Sequence, residues 1–456
     1  MAKQIHQSWS SKLAFLLATT GAAVGLGNLW GFPFLTGENG GAAFIIIYIS
    51  CVVLIGVPII TAEIAMGRMG HLSPIGTVRE IIKTQGASKG WKVIGFLSLA
   101  VPFVGFAFYS VVAGYAIDYL IKALSDAFLG ITSTRSGQMF GALEGDATRT
   151  ILMQGVVILL TAFVVGAGLR RGIERTVKVM MPGLFVILLI MAGYGYFAAD
   201  FAGAVQFLFA PDFSAVSTKT VMIALGQAFF SVGVGVGFMI TYGAYLPGEA
   251  KIPRLAGAIA GIDTLVAILA GLAIFPIVFA SGLSPAEGPG LVFITMPVAF
   301  GAMPFGQVLG ILFFLLLFVA AFTSTLGMLE PIVSYMEEKW QKSRFVLAFS
   351  AALAIWAIGL MPALSGSLLS DVRLLGFIPA LADRDVFSSF FFITFVIMIP
   401  LNAFLIALFA GWVIKPSFFK KELAFKSDFM FQTWRLLLKF IAPLAVLAIT
   451  VFGLMG

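Results

Sequence analysis

The 456-residue chain is 60% hydrophobic and 11% charged, with a mean hydropathy of +1.05, against roughly 25% charged residues in an average soluble domain. That composition excludes a soluble globular protein and requires several membrane spans. A net charge of +7 would suit a polyanionic ligand, but where the charges fall along the chain decides against one.

Apolar runs of about 20 residues, the length that crosses a bilayer, stand at 13–34, 41–66, 91–120, 151–168, 180–197, 221–246, 255–280, 305–336, 345–360, 387–413 and 436–454. The predicted fold is an all-α membrane protein with eleven transmembrane helices in a single domain, 1–456. Spans 1 to 5 cover about 10–200, spans 6 to 10 about 218–414 and span 11 about 434–455. If the N-terminus is cytoplasmic, 22 of the 28 Lys and Arg residues fall on the inner side. Only Lys122, Arg135, Arg149, Lys219, Arg373 and Arg384 lie outside. By the positive-inside rule this predicts N-terminus in, C-terminus out and a multi-pass protein of the cell (plasma) membrane. The basic balance then reflects topology and anionic lipid, with no nucleic-acid partner. The single Cys51 leaves no disulfide within the chain and no cysteine metal site. No cleavable leader is expected in the polar start MAKQIHQSWSSK, so span 1 is expected to remain.

Two Gly-rich stretches, GAAVGLGN at 21–28 and SVGVGVG at 231–237, fall inside spans 1 and 6. Backbone leaves helical form at membrane depth only where it is buried in protein or lines a cavity. One break in each half points to a transporter site near the midplane, with spans 1–5 and 6–10 as five-helix inverted repeats and unwound helices 1 and 6. Gly21 and Gly25 also fit small-xxx-small helix packing. Between spans 7 and 8, Pro285, Pro289, Pro297 and Pro304 favour a hairpin over a spanning helix. Gly172 and Pro182 could let the inner end of span 5 unwind, although residue chemistry alone favours an ordinary loop Gly and helix-start Pro. A channel would place a Gly-alternating filter on a short re-entrant segment, whereas these glycines break full-length spans. An intramembrane enzyme lacks support: His6 and His71 are the two histidines, and neither HExxH nor GxSxG occurs.

The runs WSSKLAFLLATTGAAVGLGNLWGFPF, ENGGAAFIIIYI, GVPIITAEIAMGR, GQAFFSVGVGVGFMITYGAYL and FTSTLGMLEP resemble the neurotransmitter:sodium symporter family in its bacterial eleven-helix form. The likeness is close over spans 1 to 8 and looser beyond. It implies sodium-coupled uptake of an amino acid, or alternatively of another small carboxylate-bearing zwitterion, by alternating access, with two sodium ions, by a monomer or weak homo-oligomer. The first sodium site implied comprises Ala23, Asn28, Ser231 and Asp263; the second comprises Gly21, Val24, Ala320, Thr323 and Ser324. Hydroxyls at Thr323, Ser324 and Thr325 also read as back-bonding to carbonyls one turn earlier. The substrate pocket implied comprises Ala23, Gly25, Gly27, Gly105, Tyr109, Phe230, Ser231, Gly233, Val236, Thr325 and Met328. Gly25 stands where monoamine-transporting relatives carry an acid, so the substrate is expected to bring its own carboxylate to Tyr109. The apolar lining suits a hydrophobic L-amino acid.

Asp263 stands where bacterial relatives often carry Asn, and an ionised carboxylate at that depth needs a counter-charge. With Ala267 one turn on, where some relatives carry Glu, chloride-independent transport is expected. A proton on Asp263 in the empty state is a variant of the same idea. At the gates, Gly31 replaces the usual Arg opposite Asp385, leaving apolar contacts, water or Arg384 to close the outer side. On the inner side His6 replaces an Arg near Trp9 and is expected to face Glu338, which would make opening pH-sensitive.

Overall fold

The computed structural model describes residues 7–284, 290–378 and 381–455, and among them every regular element is helical. The chain opens with α1 (Lys12–Ala23) and α2 (Gly27–Glu38), which meet at 55°. It continues through α3 (Ala42–Gly70) and α4 (Lys89–Leu124) to the short α5 (Ser133–Gly145), then α6 (Ala147–Gly166) and α7 (Leu169–Ala198). The second half begins with α8 (Thr218–Val232) and α9 (Phe238–Ala244), followed by α10 (Ile252–Ala280) and α11 (Leu291–Ala302). The long helices that follow are α12 (Gly306–Trp340), α13 (Arg344–Ala363), α14 (Val386–Val413) and α15 (Asp428–Leu454), and shorter helices at Pro74–Gln85, Phe201–Phe209 and Pro416–Leu423 lie in the connections. Among the described residues, nine helices are long and apolar enough to cross a bilayer, and the bent α1–α2 pair makes a tenth.

The break between α8 and α9 is set by its glycines. Gly233, Gly235 and Gly237 hold φ of +67°, +77° and +102°, a region that residues with a Cβ rarely enter. Helix starts are fixed by side chains: Ser11 caps α1, Ser217 and Thr220 form a capping box on α8, and Asp385 caps α14. The stretch expected to form a hairpin carries α11, which is apolar but short for a span; Pro285 and Pro289 lie outside the described residues. At the start of α7, residues Leu169–Glu174 are wound as a π-helix and Pro182 lies within the helix, so that end is not unwound here.

Burial separates the interior helices from the rim. In α4 and α12, 72% of the most apolar window is buried within the protein, against 28% in α7 and α15. Exposed Leu159, Phe163, Leu189 and Leu444 on the rim match a lipid-facing surface. Between α3 and α9 the backbones nearly touch. A Cβ added at Gly67 would lie 2.8 Å from the Ala244 amide nitrogen and closer still to the Ile240 carbonyl.

Gly67→Ala is therefore expected to cost about 1–3 kcal/mol through overpacking and to lower the melting temperature of the detergent-purified protein. Gly183→Ala, whose Cβ meets no neighbour within 4 Å, serves as the control. A Gly67→Ala protein as stable as the wild type contradicts the close crossing.

Candidate functional site

Leaving helical form at residues 24–26 strands backbone donors and acceptors, and named side chains take them up. The Gly25 N–H donates to Asn28 Oδ1 at 3.1 Å, and the Leu26 N–H donates to the Tyr109 hydroxyl at 3.1 Å. Gln227 Nε2 donates to the Gly27 carbonyl at 2.7 Å. A Cβ at Gly25 would sit 2.5 Å from Ser324 Oγ and 2.6 Å from the Tyr109 hydroxyl, so no side chain fits between α1, α4 and α12. The second break is held the same way. Gly235 N–H donates to Glu63 Oε1 at 3.0 Å, and Asn402 Nδ2 donates to the Gly235 carbonyl at 2.7 Å. Glu63, Gln227 and Asn402 were not singled out from the sequence. The signal that would have found Glu63 is an acid inside an apolar span.

Beside the first break lies a fully buried polar cluster. Asn28 Nδ2 donates to Asp263 Oδ1 at 2.9 Å and lies 3.0 Å from both the Asp263 carbonyl and Ser231 Oγ. The Ser231 hydroxyl donates to Asp263 Oδ2 at 2.5 Å, and Tyr48 joins through contacts of 2.9 Å to Ser231 and 3.4 Å to Asp263. Tyr48 is a further member that the sequence reading passed over. Among the described residues no Lys or Arg pairs with Asp263, so the carboxylate is held by neutral donors alone.

On the other flank, α1 meets α12. Ser324 Oγ lies 3.3 Å from the Val24 carbonyl and 3.2 Å from the Ala320 carbonyl, while Thr323 Oγ1 lies 3.1 Å from the carbonyls of Val319 and Ala320. A Cβ added at Gly21 would lie 3.4 Å from Thr323 Cβ. The hydroxyls thus back-bond within α12, and Ser324 also reaches across to the break. Thr325 takes another direction: its hydroxyl contacts Phe322 O at 2.7 Å and Thr161 on α6 at 2.8 Å. It does not line the central cavity.

That cavity, of about 40 Å³, lies between the breaks. Ala23, Gly25, Gly27, Gly105, Tyr109, Phe230, Gly233, Val236 and Met328 line it, joined by Phe238, Thr394 and Phe395. Ser231 stays in the polar cluster and does not line it. Its surface is mostly apolar; Tyr109 and Ser324 converge beside Gly25, and Thr394 adds a hydroxyl side chain near Gly105.

Towards the N-terminal end of the bundle, Trp9 is 2% exposed. Its indole N–H donates to the Tyr242 carbonyl at 3.0 Å and its backbone N–H to the Tyr245 carbonyl at 3.1 Å. Ser10 N–H donates to Glu174 at 3.2 Å, and Arg170 donates to the Ser8 carbonyl at 2.9 Å. Glu338 accepts from the Ser73 hydroxyl at 2.6 Å. His6 lies outside the described residues. Nearby, Arg344 joins Glu330 and Glu337, and Tyr245 donates to Glu330 at 2.8 Å. At the opposite end a Cβ added at Gly31 would lie 3.2 Å from Gln227 Oε1, and Phe230 meets Phe395 edge-on with centroids 4.5 Å apart. Asp385 accepts from the Ser388 N–H at 2.7 Å, whereas Arg384 lies over the Phe392 ring, 4.6 Å from its centroid, and does not pair with Asp385.

Paired helix breaks around a central cavity, inside a bundle of apolar helices, define a membrane transporter. The sodium:neurotransmitter symporter family matches residues 6–135 and 141–456, and the chain belongs to it. It is 35% identical over 452 residues to the uncharacterized sodium-dependent transporter YhdH of Bacillus subtilis, covering 98% of both chains. It is 31% identical over 456 residues to an uncharacterized sodium-dependent transporter of Haemophilus influenzae, again covering 98% of each. The crystal structure of MhsT in complex with L-phenylalanine superposes with a TM-score of 0.88 at 37% identity, covering 98% of this chain and 100% of that one. The protein is therefore a sodium-dependent membrane transporter and not an enzyme.

Tyr109→Phe removes the acceptor of the Leu26 N–H. A buried donor left unpaired costs about 1–3 kcal/mol, so the purified variant is expected to melt at a lower temperature before any substrate is added. An unchanged melting curve contradicts the assigned bond.

Proposed function

We propose that the protein couples the import of a hydrophobic L-amino acid to sodium by alternating access, without chloride. The observation that carries this reading is Asp263, wholly buried among Asn28, Ser231 and Tyr48 with no basic partner. A buried carboxylate held only by neutral donors favours a monovalent cation alongside it, since an unpaired charge in a low-dielectric interior is costly. The donors suit a hard alkali cation: the Ala23 carbonyl, Asn28, Ser231 and Asp263 at one site, and the carbonyls of Gly21, Val24 and Ala320 with the hydroxyls of Thr323 and Ser324 at the other. To ligate through Oδ1, Asn28 turns its amide over and releases the Gly25 N–H. That N–H, the Leu26 N–H and the Tyr109 hydroxyl then face the substrate carboxylate. Sodium at the first site thereby prepares the donors that hold the amino acid, which is coupling in structural terms.

Substrate class follows from the lining. Phe230, Val236, Met328 and Phe395 present apolar surface to the side chain, and Gly105 and Gly233 leave room beside it. The complex of MhsT with L-phenylalanine supports an aromatic or large aliphatic substrate. The cavity of about 40 Å³ holds only a few water-sized spheres, so a large side chain enters with movement of the Phe230–Phe395 pair. Counting α8 and α9 as one interrupted span gives eleven, with the broken spans heading two five-helix inverted repeats. We place the Trp9 seal on the cytoplasmic face of the plasma membrane, where most of the basic residues cluster.

Sodium-driven uptake into liposomes is expected to proceed at equal rates in chloride and gluconate. Asp263→Asn is expected to lower uptake in gluconate at least about ten-fold, equivalent to about 1.4 kcal/mol, and to gain chloride stimulation. Strong chloride stimulation of the wild type contradicts the reading.

A further inference from the structure

A side cavity of about 240 Å³ lies behind the wall of the central one, between α8, α14 and α15. The two share Phe230, Phe395 and Ile399 and no other described residue. We propose that this side cavity holds an acyl chain of a bilayer lipid, and that the chain leaves when the Phe230–Phe395 pair moves to admit a large substrate. The second half of the proposal rests on the transport reading above; the first does not.

The lining decides the chemistry of the occupant. Among the described residues around the cavity Gln227 alone is polar, and its Nε2 already donates to the Gly27 carbonyl at 2.7 Å. Met222, Ile223, Val396, Ile449 and Phe452 present only apolar surface. A buried water needs two to four polar partners, whereas a dry apolar cavity of about 150 Å³ is already large enough for benzene. A charged group would enter without a counter-ion, at high cost. A stretch of methylene chain meets neither objection.

Its place in the fold supplies that chain. Phe391 lines the cavity and is 41% exposed, and α15 turns Leu447, Val451 and Leu454 outwards on either side of Ile449 and Phe452. Apolar side chains exposed on a span lie against hydrocarbon, so lipid tails border the cavity. From that edge an aromatic series leads inwards: Phe391 and Phe395 have centroids 4.8 Å apart, and Phe395 meets Phe230 at 4.5 Å. The central cavity has only about 40 Å³, and the side cavity is the space behind the rings that close it. A lodged chain opposes their movement, and a bound substrate in turn expels the chain, because coupling between two sites is reciprocal.

The test places the full-length protein in phosphatidylglycerol nanodiscs that include a phosphatidylglycerol with a diazirine on one acyl chain, and maps the photolabelled residues by mass spectrometry. In potassium buffer without amino acid, label is expected on α8, α14 and α15 around the cavity. Gly226→Leu fills the space, since the nearest neighbour of a Cβ at Gly226 is Ile449 Cδ1 at 3.9 Å. It is expected to lower that label at least about ten-fold and to leave label on the exposed face of α7 unchanged, which also shows that the variant is folded; Ile223→Trp fills the cavity from one turn earlier. Saturating L-phenylalanine in sodium is expected to lower the cavity label of the wild type at least about five-fold, the lower end of ordinary coupling between sites. Cavity label no stronger than that on α7, label unchanged by both filling substitutions, label unmoved by bound phenylalanine, or a dimer that shields the cavity from lipid overturns the proposal. The first arm uses neither sodium nor amino acid, so a protein that takes the label but binds no phenylalanine in either salt contradicts the transport reading and not the lipid site.

Discussion

Backbone amides and carbonyls must be satisfied at membrane depth, and the interior of this protein is arranged around the two places where helices cannot do it. At the first break Asn28, Tyr109 and Gln227 take up the groups of Gly25, Leu26 and Gly27. At the second, Glu63 and Asn402 hold the two sides of Gly235. These five side chains come from separate spans, so each break ties several helices to the cavity. An unpaired amide or carbonyl in hydrocarbon costs several kcal/mol, which makes these residues structural requirements as well as neighbours of the site.

The same side chains link the first break to the polar cluster beside it. Asn28 serves the Gly25 N–H with one end of its amide and Asp263 with the other, so the first break and the polar cluster cannot change independently. Ser324 does the same on the far flank, reaching both Val24 and its own helix. Ligands that favour one arrangement of these bonds shift the population of the helices carrying them. Trp9, bound to the carbonyls of Tyr242 and Tyr245, packs on the end of α9, the helix that leads away from the second break.

Much of this was legible in the sequence because it is written in residue types that apolar spans rarely contain. The glycine runs marked both breaks, and φ values at Gly233, Gly235 and Gly237 give the physical reason. Asp263 stood out as an acid at depth. What stayed hidden depends on helix rotation, which a uniformly apolar span does not reveal. Thr325 follows Ser324 directly in the chain, yet about 100° further round the helix it meets Thr161 and leaves the cavity. Tyr48 looked like one more aromatic until α3 brought it to Ser231. The gates were the least legible: Gly31 announced a missing cation, but the aromatic packing at that end and the Glu174–Ser10 latch at the other arise from distant segments.

The central claim is that the breaks and Asp263 form one cation-dependent amino acid site. Equilibrium binding of labelled L-phenylalanine to the purified protein, compared in sodium and in potassium gluconate, tests it most directly. The account predicts saturable binding in sodium gluconate and none above background in potassium gluconate. Equal binding in the two salts would contradict it.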